Sequence, residues 1–254
     1  NCKGARNGRI SSRKQSSIAL KTNKRWVLFN ASPDIRSQLE QIPRQGHKMR
    51  ENIVTDVFLS DSHIDHSSGL LQLRESTEEV TVYASQSVHD DLTSTFPILN
   101  ILGHFCDIQS VQIHNAEPVQ LDDVTVTPIF VNGKSPPYST QRNTSVIGSN
   151  CAYLFEKDGR GLFYAPALET IDDRTLNYIN QSECVLIDGT FYQSDDMVQL
   201  GINNKTAESM GHIPIENLQE MIKRDVNFIH INNTNPLLSK NDPRLKNDND
   251  IIYI

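Results

Sequence analysis

At 254 residues, with 37% hydrophobic and 22% charged residues, the chain has an ordinary globular composition and room for one sizeable domain or two small ones. A formal charge of -7, with basic stretches confined to Arg6 to Lys14 and Lys21 to Arg25, argues against a nucleic-acid partner, which needs Lys and Arg clustered on one face. No run approaches the roughly 18 apolar residues of a membrane span, and Asn1 to Gly4 carries no apolar leader core, so a soluble cytoplasmic chain without a membrane partner is expected.

In chain order, apolar runs with β-branched and aromatic residues predict strands at Arg25 to Asn30, Ile53 to Ser60, Val80 to Ala84, Val124 to Val131, Cys151 to Glu156, Gly161 to Ala165, Cys184 to Asp188 and Asn227 to Asn232. Helical patterns fall between several of them, at Asp34 to Gln41, His66 to Glu75, Ser87 to Thr95, Asp172 to Asn180 and Pro214 to Arg224. Lys157-Asp158-Gly159-Arg160 joins two strands as an antiparallel hairpin, so the sheets are expected to be mixed. Asn132 to Asn150 is the longest irregular stretch and a candidate cover for an active site. The four cysteines, Cys2, Cys106, Cys151 and Cys184, show no CxxC spacing and do not indicate a disulfide framework, and Cys151 and Cys184, inside apolar runs, read as core thiols.

Chemistry concentrates in Asp61-Ser62-His63-Ile64-Asp65-His66, where four possible metal ligands follow directly on the strand ending at Ser60. Asp61 or Asp65 could instead cap the following helix, but capping needs one carboxylate and explains neither histidine. His230 ends an apolar strand before the polar turn Asn233-Thr234-Asn235-Pro236; it is either a hydrogen-bonded core histidine or, with Asp65 and His66, the third member of a two-imidazole, one-carboxylate set. His212, between Gly211 and Pro214, is either a surface or capping residue or a catalytic one. Asp188, closing a strand on a Gly turn, could orient it or merely close the turn. No GxSxG elbow, Walker loop or GxGxxG after a strand is present, so serine-nucleophile chemistry and nucleotide binding have no support.

At these residues the chain resembles the metallo-β-lactamase superfamily, with Asp61 at the first histidine of the HxHxDH signature, and within it the pyrroloquinoline quinone biosynthesis protein B family. The likeness runs nearly end to end, through Gln15 to Ala19, Asn30 to Arg36, Asp65-His66 with Gly69 to Glu75, Asp188-Gly189-Thr190, Met210-Gly211-His212 and, most specifically, His230 to Pro236. It implies one domain over 1–254, an α/β fold in which two mixed β-sheets flanked by helices form an αββα sandwich. It also implies a metal site at the sandwich edge. Cys2 matches the last cysteine of the family's N-terminal motif for structural zinc; the preceding strand and the motif's other thiols are expected upstream of Asn1.

Two departures matter. No histidine stands among Gln141 to Thr144 where the superfamily has a later ligand, and Ala165-Pro166-Ala167 replaces its bridging aspartate, so a dinuclear site looks incomplete. The resulting expectation is Fe(II) on Asp65, His66 and His230, with His63 and Asp61 as further candidate ligands. His212 is expected as the catalytic acid or base, fixed by Asp188, and Lys205, Arg142 and Tyr138 as anchors for substrate carboxylates. The implied reaction is hydroxylation of a tyrosine ring in a small peptide-derived (Glu-Tyr) precursor by dioxygen, in a chain that could form homo-oligomers. A zinc hydrolase using Asp61 and His63 for a second metal, and a non-catalytic carrier of the finished quinone, are the rivals.

Overall fold

Strands buried on both faces read as continuous apolar runs rather than as alternating ones, and the computed structural model, which describes residues 2–9, 12–43, 53–142, 144 and 146–240, shows why such runs dominate this chain. Five strands form one sheet in the order β1 (Ile18–Lys21), β2 (Trp26–Phe29), β3 (Val54–Phe58), β4 (Val80–Ala84), β5 (Ile108–Gln112). The β1–β2 pair is antiparallel and the others are parallel. The second sheet runs β11 (Asn227–Ile229), β10 (Cys184–Asp188), β9 (Arg160–Ala165), β8 (Asn150–Lys157), β7 (Val124–Val131), β6 (Val119–Leu121). Here β9, β10 and β11 are parallel, and the pairs from β9 to β6 antiparallel, so both sheets are mixed.

Successive side chains of a strand point to opposite faces, and they divide the apolar residues among three clusters. Val27, Phe29, Phe58, Tyr153, Phe155, Tyr164 and Leu186 fill the space between the sheets. Leu28, Val54, Val57 and Val82 face a helical layer built around Ile35, Leu70, Val88 and Ile98. Phe163, Val185 and Ile187 face the opposite layer, with Ile179, Ile215 and Leu218. The result is the expected four-layer αββα sandwich. Its centre is aromatic: Phe58 stacks on Phe29 at 4.9 Å and on Tyr83 at 4.0 Å between ring centroids.

The helices flanking the sheets are short: α1 (Cys2–Arg6), α2 (Ile35–Leu39), α3 (Ile64–Ser67), α4 (Gln86–Thr93), α5 (Ile98–Leu102), α6 (Asp173–Gln181), α7 (Asp196–Gln199), α8 (Ile215–Met221) and α9 (Leu237–Lys240). Among the described residues no helix is long and apolar enough to cross a membrane. Asp172 caps α6, accepting from the Thr175 N–H at 2.7 Å. The β8–β9 hairpin turns as its sequence predicts, with positive φ at both Asp158 (50°) and Gly159 (78°).

One predicted helix changes form. Over His66 to Glu75 the chain makes only α3 and then a 3-10 run, Ser68–Leu73. Gly69 explains the tightening: its N–H donates to the Ala31 carbonyl at 2.8 Å, and a Cβ there would lie 2.0 Å from the Ser32 carbonyl oxygen. The turn after β2 and the turn after β3 are thereby pressed together. The last predicted strand also stops early, at Ile229, because His230 turns the chain with φ 55°. Cys151 is buried as expected, whereas Cys184 is only half-buried. The Cys2 side chain lies outside the described residues, so its expected role in a structural zinc site has no counterpart among them.

Candidate metal centre

The ligand-rich turn follows β3, and its geometry sorts the four candidates. Asp61 is buried, and both its oxygens are engaged: Oδ2 accepts from Ser60 Oγ at 2.8 Å and lies 2.6 Å from His66 Nδ1, while Oδ1 accepts from the His63 N–H at 2.9 Å. Asp61 is therefore an orienting partner of His66 rather than a free ligand. Asn30 anchors the arrangement from the neighbouring turn, accepting from the Ser60 N–H at 2.8 Å and donating to Ser60 Oγ at 2.8 Å. With Nδ1 turned to a carboxylate, Nε2 is the His66 nitrogen left to bind a metal on losing its proton, and it is a buried atom without a hydrogen-bond partner in the protein.

Asp65 and His230 complete the set. His230 Nε2 is 3.1 Å, and His66 Nε2 4.0 Å, from Asp65 Oδ2, and one donor atom from each of the three residues lies within 4.8 Å of the others. Burial alone would raise the Asp65 pKa, but the His66 and His230 imidazoles beside it hold it well below the carboxylate range, so it stays anionic. Burial likewise disfavours a charged His66, yet the Asp61 and Asp65 carboxylates outweigh this and push its pKa up to about 9. Two imidazoles, one carboxylate and an orphaned buried nitrogen fit a divalent transition metal. These are the residues that would hold it.

A second acidic and histidine group, Asp188, His212 and His230, also brings donor atoms within 4.8 Å of one another, and hydrogen bonds through His212 Nδ1 and the Thr190 hydroxyl link its members. Asp188 is fully buried; its Oδ2 lies 2.6 Å from His212 Nδ1 and accepts from the Leu168 N–H at 3.0 Å, and its Oδ1 accepts from the Thr190 N–H at 3.0 Å and Thr190 Oγ1 at 2.6 Å. Burial would raise the Asp188 pKa, but His212 brings it below the usual value; burial would lower that of His212, but Asp188 raises it. Thr190 Oγ1 also lies 2.7 Å from His230 Nδ1 and 3.2 Å from His212 Nδ1. One hydroxyl thus ties the candidate ligand to the candidate acid–base residue.

A cavity of about 50 Å³ opens onto these groups, lined among others by His63, Lys134, Asn150, Ala167 and Gly211. His63 stands at its edge, a third exposed, with Nδ1 3.3 Å from Asp61 Oδ1. Neither His63 nor Asp61 belongs to a converging ligand set among the described residues, although both line the same cavity. The proposed anchors lie elsewhere. Lys205 and Arg142 are exposed and do not line the cavity, and the Tyr138 hydroxyl donates to the Ser62 carbonyl, holding the 132–150 loop against the ligand turn. The cation that does reach the cavity is Lys134, bonded to the Glu208 carbonyl at 2.8 Å. Sequence reasoning assigned no role to Lys134, Asn150 or Thr190. Thr190 carried a signal in its position two residues after Asp188; Lys134 and Asn150 carried none, because a loop and a strand end bring them in.

Residues 25–231 match the family model described as the beta-lactamase superfamily domain. Coenzyme PQQ synthesis protein B of Acinetobacter baumannii (strain ACICU) is 38% identical over 261 residues, covering 95% of this chain and 85% of that protein. The protein of the same name from Cupriavidus necator is 39% identical over 263 residues, covering 96% and 86%. Among solved structures, Zn(2+)-bound PqqB from Methylobacterium extorquens superposes with a TM-score of 0.84 at 29% identity, covering 96% of this chain and 86% of that one. A diphosphatase from the PhnP family (TM-score 0.61, 16% identity, covering 89% and 77%) shares the fold.

Proposed function

This chain belongs to the coenzyme PQQ synthesis protein B family of the beta-lactamase superfamily, and from that premise we propose that it acts in the biosynthesis of PQQ as a metal-dependent oxygenase. The proposed substrate is a small precursor derived from a Glu-Tyr unit, and the proposed reaction is hydroxylation of its tyrosine ring. A ring C–H becomes C–OH with one atom of dioxygen; the other leaves as water, with two electrons and two protons from an added reductant of the ascorbate class. Ferrous iron on Asp65, His66 and His230 would supply the oxygen chemistry.

The observation that carries this reading is the incomplete ligand set formed by Asp65, His66 and His230. Asp65, His66 and His230 converge, Asn150 and Ala167, neither an imidazole nor a carboxylate, line the same cavity, and the Asp61 carboxylate is engaged by His66. Two imidazoles and one carboxylate leave open positions for dioxygen and substrate. The protein's own part is to orient the donors, exclude water and handle protons. The Asp61 and Thr190 contacts keep Nε2 of His66 and His230 directed at one point. The Asp188–His212 pair, 2.6 Å apart, can accept and return a proton at the imidazole while Asp188 stays buried and anionic.

A zinc-dependent hydrolase is the second reading, favoured by the zinc bound in the M. extorquens relative. Protein purified without oxygen and loaded with Fe(II) is expected to consume oxygen with glutamyl-tyrosine and a reductant, yielding a catechol, and to cleave neither esters nor phosphodiesters when loaded with zinc. The reverse outcome supports the hydrolase. Tight binding of the quinone without turnover, unaffected by His66→Ala, supports a carrier.

A further inference from the structure

Asn150 is a polar group the reaction has not yet used. It pairs with Val131 at the end of the β7–β8 ladder, is 2% exposed and lines the metal-centre cavity, and its Oδ1 has no hydrogen-bond partner in the protein. Leaving a buried acceptor unpaired is costly, so such an atom on a residue that lines a cavity points to a donor that arrives from outside. The amide cannot easily turn away. Gly133 packs directly on it, and a Cβ at that glycine would lie 2.1 Å from Asn150 Cγ. Lys134, the neighbouring donor on the same wall, is already bonded to the Glu208 carbonyl at 2.8 Å and lies 3.9 Å from the Glu169 carboxylate.

We infer that Asn150 Oδ1 accepts a hydrogen bond from the phenolic hydroxyl of the substrate, making it a specificity residue that selects a hydroxylated ring over a bare one. This rests on the oxygenase reading for the identity of the ring. With about 50 Å³ of space, several times the roughly 10–15 Å³ that one water requires, the cavity has room for the hydroxyl head of a ring. A site built to hydrogen-bond a substrate hydroxyl discriminates strongly against the analogue lacking it, because the site's buried polar atom is then left unpaired.

The test uses zinc-loaded protein and calorimetric titration with 4-hydroxyphenylacetate and phenylacetate. Wild type is expected to prefer the phenol about tenfold or more. Asn150→Leu, similar in volume but without the acceptor, is expected to bring the two ligands within about twofold while binding zinc as wild type does; Asn150→Asp, which keeps an acceptor oxygen, is expected to retain the preference. A wild type without preference, a preference that survives in Asn150→Leu, or loss of zinc in that variant overturns the inference. Oxygen consumption with glutamyl-tyrosine, measured on the iron-loaded protein, tests the underlying reading separately: its absence alongside an intact phenol preference removes the reaction but leaves the Asn150 contact standing.

Discussion

Replacing Asp61 by Asn separates an orienting carboxylate from a ligand, because the substitution keeps the shape and changes only charge and one donor. In the native protein both oxygens accept: Oδ2 from Ser60 Oγ and His66 Nδ1, Oδ1 from the His63 N–H. The amide nitrogen must take one of these places. On the His63 side, it meets a backbone donor and leaves it unpaired at a cost of about 1–3 kcal/mol. On the His66 side, it forces the imidazole to carry its proton on Nε2, the nitrogen that faces Asp65 and His230. Either way the metal site suffers, and loss of such an outer partner typically weakens metal binding 10–100-fold, about 1.4–2.7 kcal/mol. Zinc affinity measured by competition with a chromophoric chelator, read beside thermal unfolding with and without zinc, is the assay. Wild-type affinity in Asp61→Asn would show that His66 needs no orienting partner. A loss as complete as that of His66→Ala would make Asp61 a ligand, and either outcome refutes the assignment.

The metal-free protein should lose stability as pH rises: His66 has its folded pKa raised to about 9 from 6.5, so its contribution is fully present below about 6.5 and disappears as pH passes 9. With 1.36 kcal/mol per pKa unit this amounts to at most about 3 kcal/mol, and chemical denaturation of wild type against His66→Gln across that window checks it; parallel profiles contradict it. Gly69→Ala forces a methyl into the Ser32 carbonyl and should destabilise by about 3 kcal/mol, the upper end for overpacking, since backbone cannot rotate away; an unchanged denaturation midpoint contradicts the close approach. Burial pushes the Cys151 thiol up to about 12, so native protein at pH 8 should react with a disulfide reagent at Cys106 and Cys184 well before Cys151. Equal labelling rates, read by mass spectrometry, would place Cys151 outside the core.

The long strands and the metal turn were legible because each is written locally: runs such as Ile53 to Ser60 are apolar on both faces, and Asp65-His66 are adjacent in sequence. The strands missed by inspection, β1, β5 and β6, are short and partly exposed, so neither length nor apolar content marks them. The helix over His66 to Glu75 was overread because its periodicity is helical, whereas the Gly69 contact with Ala31 and Ser32 is tertiary and has no local signature. For the same reason nothing in the sequence reveals that Ser60, His63 and His66 already engage the oxygens of Asp61. Lys205, Arg142 and Tyr138 stand in loops, and loop position says little about which side chain reaches a cavity. Asn150 reaches it from the end of a strand.

Thr190 offers the sharpest test of how the two halves of the site cooperate. Its hydroxyl has one proton and four neighbours: Asp188 Oδ1 at 2.6 Å, the His230 carbonyl at 3.0 Å, His230 Nδ1 at 2.7 Å and His212 Nδ1 at 3.2 Å. The charged and nearer acceptor takes the proton, so the oxygen is left to accept from His230 Nδ1–H. That fixes His230 in the tautomer whose Nε2 is free to bind metal, while His212, with Asp188 Oδ2 at 2.6 Å, is held independently. Thr190→Val preserves volume but removes the acceptor, leaving His230 Nδ1 unpaired and its tautomer unset; metal affinity should fall about 10-fold or more, and Thr190→Ser should restore it. His212 keeps its main partner in both variants, so the pH dependence of turnover per bound metal should stay in place. A Thr190→Val protein that binds metal normally but shifts its pH profile would reverse the assignment, making the hydroxyl a partner of the acid–base pair rather than of the metal ligand.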